Sequence, residues 1–214
     1  LLISLADEAA SAVKKEITEM AVPYVLVDRS FSGVPRNQMV WNDHRRGVME
    51  ALSRLLGLGH TSVALVNGNP KVRPSKERAK AFRQFVKSHD SLTGQVVSGE
   101  FSAEFGEEST KLLLDNPQPP SALIAGSNQI LVGVLRELGR RRLQIARDIS
   151  VVGCDDTPMS GVFSPPIDTI ARQPLELGKA AARKLLAALA HETPEAEYLP
   201  TYLTVRESSG RFSN

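Results

Sequence analysis

Cysteine is nearly absent. Cys154 is the only one in 214 residues, so no internal disulfide is available and a reducing compartment, the cytoplasm, is the expected setting. A surplus of charge is also missing: 26 Lys and Arg against 24 Asp and Glu leave a formal +2. That is too little for the basic field that sequence-independent phosphate binding needs, so nucleic acid is not expected against this segment itself. No apolar run reaches the ~18 residues of a membrane-spanning helix, so no membrane partner is expected. The opening stretch Leu1 to Leu5 reads as an apolar strand with no charged stretch or small-residue cleavage site before it. It is expected to be a point part-way along a longer chain, not a secretory signal.

Catalytic signatures are missing as well. No glycine-rich loop ends in Gly-Lys-Ser/Thr, no serine sits in a Gly-x-Ser-x-Gly elbow, and no repeat of 20–50 residues is visible. His44, His89 and His191 lie on expected helices or their ends without metal-ligand spacing, and His60, after Gly59 in a helix-to-strand connection, is expected to pack or hydrogen-bond. Cys154 stands beside Asp155 with nothing to mark a histidine partner, so a small buried residue is expected there. These absences point to binding without catalysis, with no cofactor and no metal.

What is present is an ordinary globular composition, 42% hydrophobic and 23% charged, in a chain long enough to bury roughly 70% of its unfolded surface in one or two domains. Short β-branched runs alternate with helical periodicity, the pattern of βα units winding a parallel sheet, so the fold class is α/β. Strands are expected at 1–4, 24–27, 63–66, 122–125, 150–152 and 202–206, with 96–98 a weaker seventh. Helices are expected at 8–20, 44–56, 76–88, 105–116, 130–140 and 175–190. Asp43 is placed to cap the helix at 44–56 and Ser75 the one at 76–88, and Gly57 or Gly139 to end helices where a left-handed residue is needed. The run Arg140 to Arg142 reads as a solvated helix end.

Polar residues gather at strand ends. Asp28 follows the run 24–27, Asn128 lies just past 122–125, and Asp155 just past 150–152. In parallel sheets that edge is where ligand crevices form. Arg78, beyond the loop that follows 63–66, belongs to the same rim and offers a forked donor. Carboxylate, amide and guanidinium together suit a small polyhydroxylated ligand, to which Phe101 adds a stacking face. Each residue also has an ordinary explanation: a turn or helix cap for Asp28 and Asp155, an N-cap for Asn128, a surface ion pair for Arg78, and core packing for Phe101. Their convergence favours the ligand.

The same residues carry a family resemblance. Residues 22–29 (Val-Pro-Tyr-Val-Leu-Val-Asp-Arg), Gly59-His60, Ser150 to Asp156, Arg206 to Ser208, Glu77-Arg78, Ser127-Asn128, Pro165-Pro166 and Arg172-Gln173 together resemble the LacI/GalR transcriptional regulators over essentially the whole chain. The resemblance implies two Rossmann-like subdomains of the periplasmic-binding-protein type with a ligand cleft between them and the amino-terminal part missing. The first, partial and bearing the dimer face, would comprise 1–60 and 171–192. The second would comprise 61–170 and 193–214, with crossings near 60, 170 and 192. It implies effector contacts at Asp28, Arg78, Asn128 and Asp155, with Arg29, Phe101 and Gln173 as further cleft or hinge positions.

Departures from the family pattern are His44 where Asn is usual, Ala81 where Gly is usual, Gln129 where Asp usually follows Asn128, Cys154 where an aromatic is common, and Asp168 where Thr is usual. The function implied is effector sensing and dimerisation in a bacterial repressor: a sugar or sugar-like metabolite changes the angle between subdomains, and so the binding of operator DNA by an amino-terminal helix-turn-helix head outside this sequence. The alternatives are a periplasmic sugar-binding protein of a transporter, which a signal peptide upstream would mark, and an α/β enzyme with an unrecognised site, which turnover of a sugar would mark.

Overall fold

The computed structural model describes residues 1–5, 8, 10–20, 22–193 and 195–212. The chain builds two sheets. The first has four strands, β1 (Leu2–Ile3), β2 (Val25–Val27), β3 (Met39–Asp43) and β9 (Glu197–Pro200), in the order β1-β2-β3-β9 and all parallel. The second has six, β4 (Ser62–Asn67), β5 (Thr93–Ser98), β6 (Ala122–Ala125), β7 (Ser150–Cys154), β8 (Asp168–Ala171) and β10 (Tyr202–Thr204), in the order β10-β8-β7-β6-β4-β5. Only β10 runs antiparallel. The central strands β4, β6 and β7 are buried along almost their whole length and apolar in their middles because helices cover both faces.

One face of the second sheet packs on α2 (His44–Gly57) and α3 (Arg73–Lys87) through Val48, Leu52, Leu55, Phe82 and Phe85. The other packs on α4 (Ala103–Leu114) and α5 (Asn128–Arg140) through Leu113, Ile130, Val134 and Leu138. On the first sheet, α7 (Pro174–Leu189) covers Val25 and Val40 with Leu177, Ala180 and Ala181. The opposite face carries Ile17 of α1 (Ser11–Glu19) with Leu26, Met39 and Trp41. A short helix, α6 (Pro158–Val162), follows β7.

This placement moves the boundaries drawn from sequence. Residues 44–60, grouped with the first part, lie against the second sheet because the apolar stripe of α2 matches β4 and α3. Residues 197–200, grouped with the second part, form the edge strand β9 of the first sheet. The crossings therefore fall after Asp43, at Ala171 to Gln173 and at Pro200 to Thr201. Two of them are stitched together by Thr201, fully buried, whose Oγ1 donates to the Asp43 carbonyl (2.6 Å) and accepts from Gly47 N (3.0 Å).

Local expectations differ at several ends. Asp43 caps α2 as expected, its Oδ1 accepting from Arg45 N (3.0 Å) and Arg46 N (3.3 Å). Ser75 caps nothing: α3 starts at Arg73, with Pro74 taking the second helical position, where its missing N–H costs no helical bond. The left-handed residues beyond α2 and α5 are Gly59 and Arg142, not Gly57 and Gly139. The helix expected from residue 8 begins at Ser11, and Ala9 lies outside the described residues. His60 packs at the far edge of the second sheet, bonded to Ser121 Oγ (2.9 Å) and Ser150 Oγ (2.8 Å).

Candidate functional site

A cleft of about 540 Å³ opens between the sheets, at the carboxyl ends of β2, β4, β6 and β7. Its size suits a small molecule, which such sites usually enclose within roughly 300–1,000 Å³. Asp28, Arg29, Arg78, Phe101, Asn128 and Asp155 all line it. Gln173 does not. It sits at the start of α7, half-buried, its carbonyl accepting from Leu177 N (2.9 Å).

The two aspartates reach the cleft by the same device. Each ends a strand in the left-handed region, φ 52° at Asp28 and 73° at Asp155. A short polar side chain tolerates that conformation better than a branched one does. Asp28 lies on the floor and is 3% exposed. It accepts from Asn42 N (3.1 Å), from His44 Nε2 (3.0 Å to Oδ2) and from Arg73 Nη1 (3.3 Å), and Arg172 Nη1 lies 3.6 Å away. Burial alone would raise its pKa, but the bonds and charge of His44 and the bonds of Asn42 outweigh it and hold the carboxyl well below the usual carboxylate range. Asp155, more open, forms an ion pair with Arg172, whose Nε lies 2.7 Å from Oδ1.

Two residues that sequence reasoning did not assign to the site tie its halves together. Arg172, in the crossing after β8, pairs with Asp155 of the second subdomain and Asp28 of the first. Arg73, at the start of α3, spans to Asp28 and to the Asn42 carbonyl (3.2 Å), and its guanidinium lies 5.0 Å from the Trp41 ring centre. Its own helix steadies it through Glu77 (2.7 Å). The Glu8 carboxylate accepts from Ser30 N (3.2 Å) and from Arg73 N (3.0 Å), bridging the same gap. Arg172 was visible as a landmark beside Gln173. Arg73 carried no local signal, since its partners lie far off in sequence.

The remaining polar groups are held by their own surroundings. Arg29 donates Nε to the Leu5 carbonyl (2.7 Å) and Nη1 to the Asp28 carbonyl (2.8 Å). Ser127 Oγ caps α5 by accepting from Ile130 N (3.2 Å), and Asn128 Oδ1 accepts from Gln129 N (2.8 Å). Ser102 Oγ caps α4 through Phe105 N (3.1 Å), and Asn69 Oδ1 accepts from Lys71 N (2.9 Å). Arg78 falls in the second turn of α3, one turn later than the sequence suggested, because the helix starts earlier. It is 5% exposed, and its Nε has no hydrogen-bond partner among the described residues. The Phe101 ring lies over Gly68, where an added Cβ would stand 1.9 Å from ring atom Cε1. Cys154 is buried behind this wall, and burial pushes its thiol pKa up, away from the reactive thiolate.

Residues 52–209 match the family described as periplasmic binding protein-like domain. Over 201 residues the chain is 25% identical to the probable HTH-type transcriptional repressor ExuR of Bacillus subtilis, which covers 92% of this chain and 60% of that protein. Among solved structures, a LacI transcriptional regulator from a Rhodococcus species superposes with a TM-score of 0.87 at 26% identity, covering 100% of this chain and 78% of that one. A LacI family regulator from Enterococcus faecium with bound ribose gives a TM-score of 0.85 at 25% identity, covering 99% and 80%. The chain spans about three fifths of the length of the curated relatives it matches.

Proposed function

Because the chain belongs to the periplasmic-binding-protein-like domain family, in the form carried by LacI-type regulators, we propose that it is the effector-sensing part of a transcriptional repressor. The observation that carries this reading is the cleft: aspartates from two separate sheets face one cavity and share one arginine, Arg172. A ligand seated there touches both subdomains, so its affinity depends on the angle between them. In the full repressor that angle sets the spacing of two helix-turn-helix heads on a pseudo-palindromic operator, and a coupling of about 1–3 kcal/mol alters operator affinity roughly 5- to 150-fold. The regulator relatives support this over a transporter's solute-binding protein, and a cytoplasmic setting follows from it.

The effector is a sugar or sugar-like metabolite held by Asp155, Arg78 and Asn128, with Phe101 stacking on its apolar face. Asp28 and Arg29 form the floor, and Gln173 marks the hinge. A thermal-shift screen of sugars and their derivatives tests this, since a ligand at 100 times its Kd stabilises by about 2.7 kcal/mol. Asp155→Ala is expected to weaken a hit by about 2–5 kcal/mol, leaving its partners unpaired in the cleft. Unchanged affinity in the folded variant refutes the site.

Dimerisation uses the first subdomain. A two-fold symmetric pair of heads requires a self-complementary face on the sensor that carries them. Sedimentation of the full repressor is expected to give a dimer, and a strict monomer refutes this part.

A further inference from the structure

We infer that Glu8 is a latch across the cleft: it caps α3 from the opposite subdomain, so that the sensor closes on protein contacts alone and the effector stabilises a closed form already favoured. For the effector's part this rests on the cleft reading above. A helix leaves its first N–H groups without intrahelical partners, and a polar side chain just before the helix usually takes one. In α3 that position is Val72, apolar and fully buried, and Pro74 has no N–H to offer. The cap comes instead from 65 positions away, where Glu8 Oε2 accepts from Arg73 N at 3.0 Å.

Glu8 is buried, and its two oxygens divide the work. Oε1 accepts from Ser30 N (3.2 Å) within the first subdomain, while Oε2 crosses to the second. Arg29 steadies the same segment by donating Nε to the Leu5 carbonyl (2.7 Å). The carboxylate meets the positive end of the α3 dipole, where an anion is favoured. Arg73 returns the contact, its guanidinium crossing back to Asp28 and to the Asn42 carbonyl. One residue thus joins the subdomains in both directions, its N–H to Glu8 and its side chain to the cleft floor. All of these bonds join protein to protein, and none needs a ligand atom. Opening the subdomains hydrates the Glu8 carboxylate and leaves α3 uncapped. For an effector that fits the closed form, the apparent Kd is the intrinsic Kd divided by the closed fraction. Glu8 lies outside the cavity lining, so it sets effector sensitivity without touching the effector.

The test is hydrogen exchange by mass spectrometry, with small-angle scattering, on the full chain dialysed free of small molecules. The unaltered chain is expected to protect the Arg73 amide at least about tenfold over an unstructured amide. Glu8→Ala is expected to remove that protection and to raise the radius of gyration, and Glu8→Gln to do both in part. Losing a direct acceptor unprotects Arg73 wherever the subdomains sit, so the deciding variant is Arg172→Ala, which alters neither the Glu8 carboxylate nor the Arg73 N–H. Because the crossing contacts close together, that variant is expected to speed exchange at Arg73 at least about threefold while exchange in α5 stays the same. An Arg73 amide unprotected in the unaltered chain overturns the latch. So does a folded Glu8→Ala chain with an unchanged radius, or an Arg172→Ala chain with unchanged exchange at Arg73. If Glu8→Ala fails to fold, the unaltered chain and Arg172→Ala still decide. Effector binding enters none of these readouts, so the cleft reading is overturned only by its own test, unchanged effector affinity in Asp155→Ala.

Discussion

His44 opens α2 and is 1% exposed, its Nε2 3.0 Å from Asp28 Oδ2. Burial and then the charge of Arg78 pull its pKa down to about 4, against the opposing pull of Asp28. It is therefore neutral near pH 7 and donates its one N–H to a carboxylate that stays ionised. In the unfolded chain the same imidazole titrates near ~6.5. A depressed folded pKa means stability that is present above about 6.5 and is lost as pH falls toward 4, on the order of 3 kcal/mol. Urea unfolding between pH 7 and 4.5 is expected to show this loss, and His44→Asn to flatten it. His60, whose pKa burial also lowers, acts in the same window and is untouched by that change, so the difference between the two chains isolates His44. An equal slope in both would rule out the neutral buried histidine. The pairing of His44 with Asp28 was not legible from sequence, where His44 stood only as a departure from the usual Asn.

The elements that line the cleft depend on close packing. At Gly133 of α5 an added Cβ would stand 2.0 Å from the Ala103 carbonyl oxygen and 2.5 Å from Glu107 N of α4. Both are backbone atoms, so relief requires the helices to part. Gly133→Ala is expected to cost about 1–3 kcal/mol by overpacking, although Ala favours a helix by nearly 1 kcal/mol in isolation. A urea midpoint unchanged or raised would show that α4 and α5 separate freely. The helices themselves were legible because their apolar residues recur at 3–4 residue spacing. Strands β3, β8 and β9 were not read from the sequence. Asn42, Asp43 and Asp168 place polar groups in two of them, and Glu197 and Pro200 bound the third, so none offers a plain apolar run.

For the molecule as a whole, the angle between subdomains rests on Arg73 and Arg172, which cross from one sheet to the residues of the other. The crossings themselves are thin, with Thr201 stitching two of them. Arg73→Ala combined with Arg172→Ala is expected to open the cleft, raising the radius of gyration in small-angle scattering and weakening effector binding by lowering the closed population. An unchanged radius would mean that the crossings alone hold the angle. Thr201→Val keeps the shape but removes the hydroxyl that joins the start of α2 to the crossing after β9, at a cost of about 0.5–1.5 kcal/mol in thermal unfolding.

The amino-acid sequence by itself determined the α/β class, the parallel winding and the strand-end positions of Asp28, Asn128 and Asp155, because periodicity and turn chemistry act within a few residues. The tertiary structure decided which sheet each strand joins, which carboxylates are spent and which arginine is left with an open donor. Those outcomes depend on groups distant in sequence: Arg73 meets Asp28 and Arg172 meets Asp155 only after both sheets have formed. A hydrogen bond is satisfied by whatever the fold brings within about 3 Å, and no local pattern records that meeting.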